Sequence, residues 1–201
     1  GNLGSELIDG HLLLTLCSGD LVGTTITASA VGADTFEFFI DGADQNNGGG
    51  AAFVIPAGFP SSALVQIQTW LAADNCLIEY GINVIENEVD GGNIGSSQDI
   101  CTPGDPAAFT NNVSGSGPAG ANITYYWYID DDTDGVFTVL PGAPHGETID
   151  YGILAADADF YRETRSDLNG EVCTANSNTI NITVGPALNG GTIVNADQLL
   201  C

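Results

Sequence analysis

Hydrophobic and polar residues alternate with a period of two along most of the chain, as they do in half-buried β-strands. Clusters of Gly, Asn, Asp and Pro interrupt the alternation at short intervals, which is typical of turns between short strands. We find no segment with helical periodicity, so the pattern predicts an all-β protein built of antiparallel sandwiches. The predicted strands cover residues 24–31, 35–40, 51–55, 63–72 and 77–89, and then 107–114, 123–129, 136–142, 147–152, 159–166 and 177–184.

A short phrase recurs along the sequence and divides it into repeats. Residues 91–101 read GGNIGSSQDIC and residues 188–201 read LNGGTIVNADQLLC, while residues 1–17 begin GNLG and also reach a cysteine. Internal repetition of this length indicates tandem domains. We therefore expect one repeat over 1–90, a second over 91–187, and the opening strand of a third, truncated repeat over 188–201. The joints between them are too short to be flexible linkers, so a semi-rigid rod is expected.

The charge is extreme and of one sign. The chain has 26 acidic residues against two basic ones, and its formal net charge is −24. Such a surface repels nucleic acid and anionic lipid, so neither is an expected partner. The apolar stretch HLLLTL at 11–16 is too short to cross a bilayer and is interpreted as a strand. We expect the chain to be a segment of a longer secreted protein.

Five cysteines, at positions 17, 76, 101, 173 and 201, are the only residues available for covalent cross-links. Four cysteines allow three pairings, and the repeat structure favours Cys17–Cys76 and Cys101–Cys173, each within one repeat. Cys201 is then expected to be unpaired within the chain. Disulfides indicate an extracellular location. The absence of C-x-x-C from the sequence argues against a zinc site.

The second repeat resembles a known group of proteins. Residues 99–152, beginning DICTPGDPAAFTNN and including TYYWYIDDDTDG, together with FYRETRSDLNGEVC at 160–173, are similar to tandem immunoglobulin-like (PKD-like) repeats of large Bacteroidetes cell-surface adhesins. Those adhesins are exported by the type IX system and include gliding-motility adhesins. The first repeat looks like a shorter relative. The resemblance implies an Ig-like fold at the cell surface and a structural role in adhesion.

An acidic turn at 128–135 (YIDDDTDG) is one candidate site. Asp130, Asp132 and Asp134, followed by Gly135, match the first half of an EF-hand loop, which binds Ca²⁺. The glutamate that completes such a loop is missing, because Pro141 stands at the twelfth position. The same residue types also form solvated hairpin turns. Both interpretations, a Ca²⁺ site and a plain turn, stay open.

Alternating aromatic residues at 125–128 form a second candidate site. Trp127 resembles the core tryptophan of Ig domains, with Phe38 as its counterpart in the first repeat. Tyr126 and Tyr128 then point away from the core, where their rings could stack on the sugars of a surface polysaccharide. Cross-strand pairing also explains exposed aromatic residues on a sheet. The two arginines, Arg162 and Arg165, should lie on opposite faces of one strand and pair with acids such as Asp159 or Glu163.

No known catalytic signature occurs, so the chain is not expected to be an enzyme or to need a cofactor. The expected function is that of a structural stalk or filament segment in a large extracellular repeat protein supporting adhesion or gliding. Its partners would be neighbouring repeats of the same protein or copies of itself in a filament. The alternatives are a module that binds polysaccharide or Ca²⁺, and a subunit that exchanges a strand through residues 188–201.

Overall fold

Two Ig-like β-sandwiches with similar strand orders follow each other along the chain. The computed structural model describes residues 2–8, 11–33, 35–71, 76–131 and 133–187, with side chains for all of these except 2–8, 70, 71 and 76. It confirms the all-β prediction. Among the described residues, no helix is long and apolar enough to cross a membrane.

The first sandwich contains strands β1–β8 and one short helix. Its main sheet has the strand order β1-β2-β8-β7-β4-β5, and β3 pairs with β6 in a second, smaller sheet. Alternate residues of β4, β7 and β8 point inward, and they bury Phe38, Val65 and Val84 in its core. The elements are β1 (Asn2–Ile8), β2 (His11–Cys17), α1 (Ser18–Leu21), β3 (Thr25–Thr27), β4 (Phe36–Ile40), β5 (Ala43–Asp44), β6 (Ala52–Val54), β7 (Ser62–Leu71) and β8 (Cys76–Asn87).

The second sandwich contains strands β9–β16. Its main sheet has the order β10-β16-β14-β12-β13, with β15 also paired to β14, and β9 pairs with β11. Its core includes Phe109, Trp127 and Phe160, whose rings lie against each other. The elements are β9 (Asn93–Gly95), β10 (Gln98–Cys101), β11 (Thr110–Val113), β12 (Asn122–Asp130), β13 (Thr138–Val139), β14 (Ala158–Leu168), β15 (Glu171–Asn176) and β16 (Ile180–Gly185).

Apart from the edge strand β1, the two main sheets share a strand order and a register, with β15 and β16 together in the place of β8. Phe38 faces Ile67 in the first sheet, and Trp127 faces Arg162 in the second. Both Phe38 and Trp127 are fully buried, as expected for counterparts. In each sheet one strand pair is parallel, β2 with β8 and β10 with β16, so the sheets are mixed and not purely antiparallel.

Several local predictions differ from the structure. A four-residue helix, Ser18–Leu21, follows β2, although no helix was expected; it is too short to show a helical pattern. The predicted strand at 136–142 shrinks to Thr138–Val139, since Pro141 cannot donate a ladder hydrogen bond. Residues 147–152 form no strand, although the Ile149 carbonyl accepts a hydrogen bond from the Phe109 amide.

Candidate functional site: the joint between the sandwiches

A disulfide connects the two sandwiches. It joins Cys17, the last residue of β2, to Cys173 in β15, with a Cα–Cα distance of 5.6 Å and a sequence separation of 156 residues. Closing a loop of this length stabilises the folded chain by about 5 kcal/mol in the chain-entropy model. The bond therefore holds one sandwich against the other and does not staple either one internally.

The expected pairings Cys17–Cys76 and Cys101–Cys173 are wrong. Cys17 lies beside Asn87, the last residue of β8, whereas Cys76 is the first residue of that strand. A strand of 12 residues spans roughly 36 Å at about 3.3 Å per residue. A disulfide needs its Cα atoms within roughly 7 Å. The two cysteines of one repeat therefore lie at opposite ends of their sheet.

Of the three remaining cysteines, only Cys101 has a side chain among the described residues. Cys101 is an exposed free thiol. The backbone of Cys76 pairs with that of Leu71, but its side chain lies outside the described residues. Cys201, which was expected to be unpaired, also lies outside them, as does the whole of 188–201.

Asn87 is the centre of a buried hydrogen-bond network across the joint. Its side chain is 0% exposed. The Nδ2 group donates to the backbone carbonyls of Ser166 (2.8 Å) and Glu171 (2.9 Å), and Oδ1 accepts from the Ser166 hydroxyl (2.6 Å). Nearby, Asn169 Nδ2 donates to the buried Thr15 hydroxyl at 3.1 Å. Because water is excluded, breaking these bonds would leave polar groups without partners, which is costly.

The chain between the sandwiches is also held in place. The backbones of Asp90 and Ser116 exchange two hydrogen bonds of 2.8 and 2.9 Å. The buried Gly91 packs so closely that a Cβ atom there would collide with the backbone carbonyl of Asn176. A larger residue at this position would force the linking segment away from the second sandwich.

Arg162 binds this segment from inside the second sandwich. Its buried guanidinium donates to Asn111 Oδ1 and the Glu147 carbonyl, both at 2.9 Å, and to the carbonyls of Gly91 and Val113, both at 3.2 Å. The planar fork of an arginine suits this set of acceptors, and a lysine could not reproduce it. Arg162 therefore ties the linking segment to three other parts of its sandwich.

The surroundings of Arg162 explain how a charge is tolerated there. The guanidinium lies 4.9 Å from the centre of the Tyr125 ring. Burial lowers its pKa, and the nearby Tyr125 and Glu147 partly oppose that shift. The expected pairing of Arg162 with an acid such as Asp159 is wrong, since its hydrogen bonds go to carbonyl oxygens and one amide. For Arg165 the expectation is confirmed, because Arg165 Nε donates to Glu163 Oε1 at 2.6 Å.

The outer face of the second sandwich carries the predicted aromatic pair. Arg165 lies 3.6 Å above the Tyr126 ring, and Tyr128 stacks on Tyr161 with 4.8 Å between ring centres. Phe137 packs edge-on against Tyr161. Burial, then the charges of Tyr128 and Glu163, raise the pKa of Tyr161. The rings thus form cross-strand stacks whose remaining surface faces solvent.

The acidic turn connects β12 to β13. Asp130 is only 2% exposed; its Oδ2 accepts from the Gly135 amide at 2.8 Å, while its Oδ1 has no hydrogen-bond partner among the residues that the structure describes. Asp134 accepts from the Val136 amide at 2.8 Å. Asp132, the middle residue of the predicted Ca²⁺ ligands, lies outside the described residues. Among the residues that are described, no three His, Cys, Asp or Glu side chains converge as metal ligands.

The sequence did not point to Asn87, Thr15 or Ser166 as joint residues. A weak signal existed at Asn87, because asparagine is depleted in strands and here ends an alternating run. Only the juxtaposition of β2 and β8 with β14 and β15 shows what this residue binds.

Comparison with known proteins supports the fold and leaves the family open. No family model matches the chain, and no curated protein matches it. Three N-terminal domains of Hoc, the highly immunogenic outer capsid protein of bacteriophage RB49, align with a TM-score of 0.54 and 10% identity over 86% of this chain and 67% of that one. An I-band fragment of titin gives 0.44 and 9% over 88% and 63%, and fibronectin(III)-like modules of CbhA from Clostridium thermocellum give 0.41 and 13% over 96% and 99%. The chain therefore spans about two thirds of the Hoc and titin structures.

The structural neighbours are Ig-like and fibronectin-III-like modules, and at this level of sequence identity they show the fold alone. The disulfide is consistent with an extracellular location. The chain is thus a tandem of Ig-like sandwiches joined by a covalent bond.

Proposed function

We propose that this chain is a stalk or filament segment of a large extracellular repeat protein that supports cell-surface adhesion or gliding. The observation that carries the proposal is the joint, where a disulfide and the buried Asn87 network connect the two sandwiches. A module whose only task was to bind a ligand would not need such a joint. The sequence resemblance suggests a parent of the kind that Bacteroidetes export through the type IX system.

The proposed mechanism is mechanical. Interdomain interfaces within a chain are often mobile, but this joint is held by the disulfide, by Asn87 and by the Asp90–Ser116 backbone pair. Orientation is therefore transmitted from one sandwich to the next. The net charge of −24 keeps neighbouring stalks apart at low salt.

Residual dipolar couplings of the full chain test whether the joint is rigid. We expect the couplings of the two sandwiches to fit one common alignment tensor. The double variant Cys17→Ser/Cys173→Ser combined with Asn87→Ala should need two tensors. The matched control, Cys101→Ser, changes an exposed free thiol and should keep one tensor. Two independent tensors in the wild-type protein would overturn the stalk proposal.

A second candidate function is polysaccharide binding by the outer face of the second sandwich. It is favoured by the half-exposed Tyr126 and Tyr128 rings beside Arg165 and Glu163, a combination of stacking surfaces and polar groups that suits sugars. A glycan array with the full chain tests it. Binding that is lost in Tyr126→Ala and kept in Tyr80→Ala, which removes an exposed tyrosine of the first sandwich, would support this function.

Two further alternatives have direct tests. A Ca²⁺ site in the 130–135 turn predicts a rise in melting temperature with Ca²⁺ that Asp130→Asn abolishes. Strand exchange through 188–201 predicts oligomers by size-exclusion chromatography under reducing conditions, which deletion of 188–201 removes. A monomer with no response to Ca²⁺ would leave the stalk as the better account.

A further inference from the structure

Cys101 occupies the same place in the second sandwich as Cys17 does in the first. Three residues before each cysteine, Leu14 pairs with Val84 and Gln98 pairs with Ile182. Val84 in turn pairs with Ala63, and Ile182 pairs with Ala158.

The same register continues to the buried residues of the sheet core. Ala63 stands four residues before Ile67, the partner of Phe38, and Ala158 stands four residues before Arg162, the partner of Trp127. The pairing registers of the two main sheets therefore coincide strand by strand. Each cysteine ends its strand beside the last residue of the final strand, at the end of the sandwich from which the chain leaves.

Cys76 and Cys173 occupy equivalent positions in the pairing registers of the two main sheets. Four residues after Ile67, Leu71 pairs with Cys76, and four residues after Arg162, Ser166 pairs with Cys173. Both cysteines lie at or near the start of their strands, at the opposite end of the sandwich from Cys17 and Cys101.

The observed disulfide uses one cysteine of each kind. Cys17, at the exit end of the first sandwich, bonds to Cys173, at the entry end of the following sandwich. This leaves Cys101, the counterpart of Cys17, as an exposed free thiol at the end of the second sandwich that faces away from the joint. Cys76, the counterpart of Cys173, lies at the end of the first sandwich that faces away from the joint. Cys101 is thus not an isolated thiol but a repeat of a position that already forms a bond.

We propose that copies of this chain join head to tail through a disulfide between Cys101 of one copy and Cys76 of the next. This inference rests on the proposed stalk function and names its partner, a second copy of the chain. The new bond would join the same two strand positions as Cys17–Cys173 does, so each joint of the resulting filament carries one covalent cross-link.

The bond forms by thiol–disulfide exchange with a small disulfide oxidant such as oxidised glutathione. The Cys101 thiolate attacks one sulfur of the oxidant, giving a mixed disulfide and one reduced thiol. The Cys76 thiolate then displaces the second thiol and forms the Cys101–Cys76 bond. The two protein thiols are oxidised by two electrons, and one oxidant molecule is reduced to two thiols.

The non-covalent part of this second joint is weaker than that of the first. Gly185 stands where the first sandwich has Asn87, so no side chain repeats the Asn87 network. The Gly185 carbonyl already accepts hydrogen bonds from the amide and hydroxyl of Thr102 at 2.9 and 2.7 Å. Two chains that each carry −24 also repel one another. The disulfide is therefore the main bond of this joint, and high ionic strength should favour its formation.

The experiment uses the full chain with Cys201→Ser, incubated in 0.5 M salt with a glutathione redox buffer. We expect a ladder of oligomers on non-reducing gels that collapses to monomer with reductant. Peptide mapping should identify a Cys101–Cys76 cross-link. Adding Cys101→Ser or Cys76→Ser should each reduce the ladder at least tenfold.

A mixing experiment tests direction. Of the two cysteines that would join copies, the Cys101→Ser chain keeps only Cys76 and the Cys76→Ser chain keeps only Cys101, so their mixture should stop at a heterodimer. Circular dichroism of each variant checks that it folds. Absence of oligomers from a folded chain, symmetric Cys101–Cys101 dimers, or cross-links from Cys101 to several different cysteines would each overturn the proposal. The stalk function fails separately, through the dipolar couplings of the single chain.

Discussion

When tension is applied at the two ends of the chain, the disulfide should prevent most of the chain from extending. The bond joins residues 156 positions apart, so force passes from Cys17 directly to Cys173 and bypasses the chain between them. At about 3.3–3.6 Å per extended residue, that bypassed segment corresponds to roughly 510–560 Å of contour length. The oxidised chain can release only the segments before Cys17 and after Cys173.

Single-molecule force spectroscopy measures this difference. The chain is held by handles at its termini, in a background where Cys76, Cys101 and Cys201 are replaced by serine. The oxidised protein should give a short total extension, and the same protein with Cys17→Ser should release the additional roughly 510–560 Å of contour length in two unfolding events, one for each sandwich. Adding reductant to the parent protein should reproduce the behaviour of the variant.

The control variant adds Tyr80→Ala to the parent; it changes an exposed side chain of the first sandwich, leaves the bypass intact and should extend no further than the parent. A parent chain that releases one full sandwich before reduction would refute the reasoning. That result would mean that Cys17 and Cys173 are not bonded to each other.

Further predictions concern the groups that surround the joint. Arg162→Lys should lower the free energy of unfolding by about 3 kcal/mol, because buried carbonyls lose their donors; a loss below 0.5 kcal/mol in urea titrations would contradict this. Gly91→Ala should cost about 1–3 kcal/mol, since its Cβ meets backbone and no side chain can yield, whereas Gly19→Ala serves as a control, because Gly19 has open space around it and no positive φ. Asn87→Ala should cost about 1–3 kcal/mol and increase hydrogen exchange at Ser166; unchanged exchange there would argue against the network. Burial, followed by its hydrogen bond to Glu147, raises the pKa of Tyr125 above its ordinary value of 10.0. Its stabilising contribution is therefore complete below pH 10.0 and lost as the pH rises further, so unfolding measured from pH 8 to 11 should show a flatter decline in Tyr125→Phe.

Much of the fold follows from the order of residue types. Alternation in 35–40 and 123–129 predicted the strands that bury Phe38 and Trp127, because a strand turns successive side chains to opposite faces. The outward placement of Tyr126 and Tyr128 follows from the same rule. The recurring phrase before Cys17, Cys101 and Cys201 likewise revealed that the first two belong to equivalent strands.

The sequence could not show which cysteines meet. Similar spacing made Cys17 and Cys76 look like partners, because loop length says nothing about the end of the strand on which each residue lies. It also placed Arg162 among nearby acids, although the fold encloses its guanidinium with backbone carbonyls. Contacts of this kind join residues far apart in the chain, and no local pattern encodes them.

By itself, then, the sequence determined the strands, the inward and outward faces, the repeat and the strongly negative surface, since each depends on residues close together in the chain. Only the tertiary structure decided how the repeats are connected. The parallel pairing of β2 with β8 places Cys17 at the exit of the first sandwich, about one strand length from Cys76 and within bonding distance of Cys173. The sequence predicted one disulfide within each repeat, but the observed disulfide joins the two repeats. The reason is that a strand is rigid and long enough to keep its two ends apart.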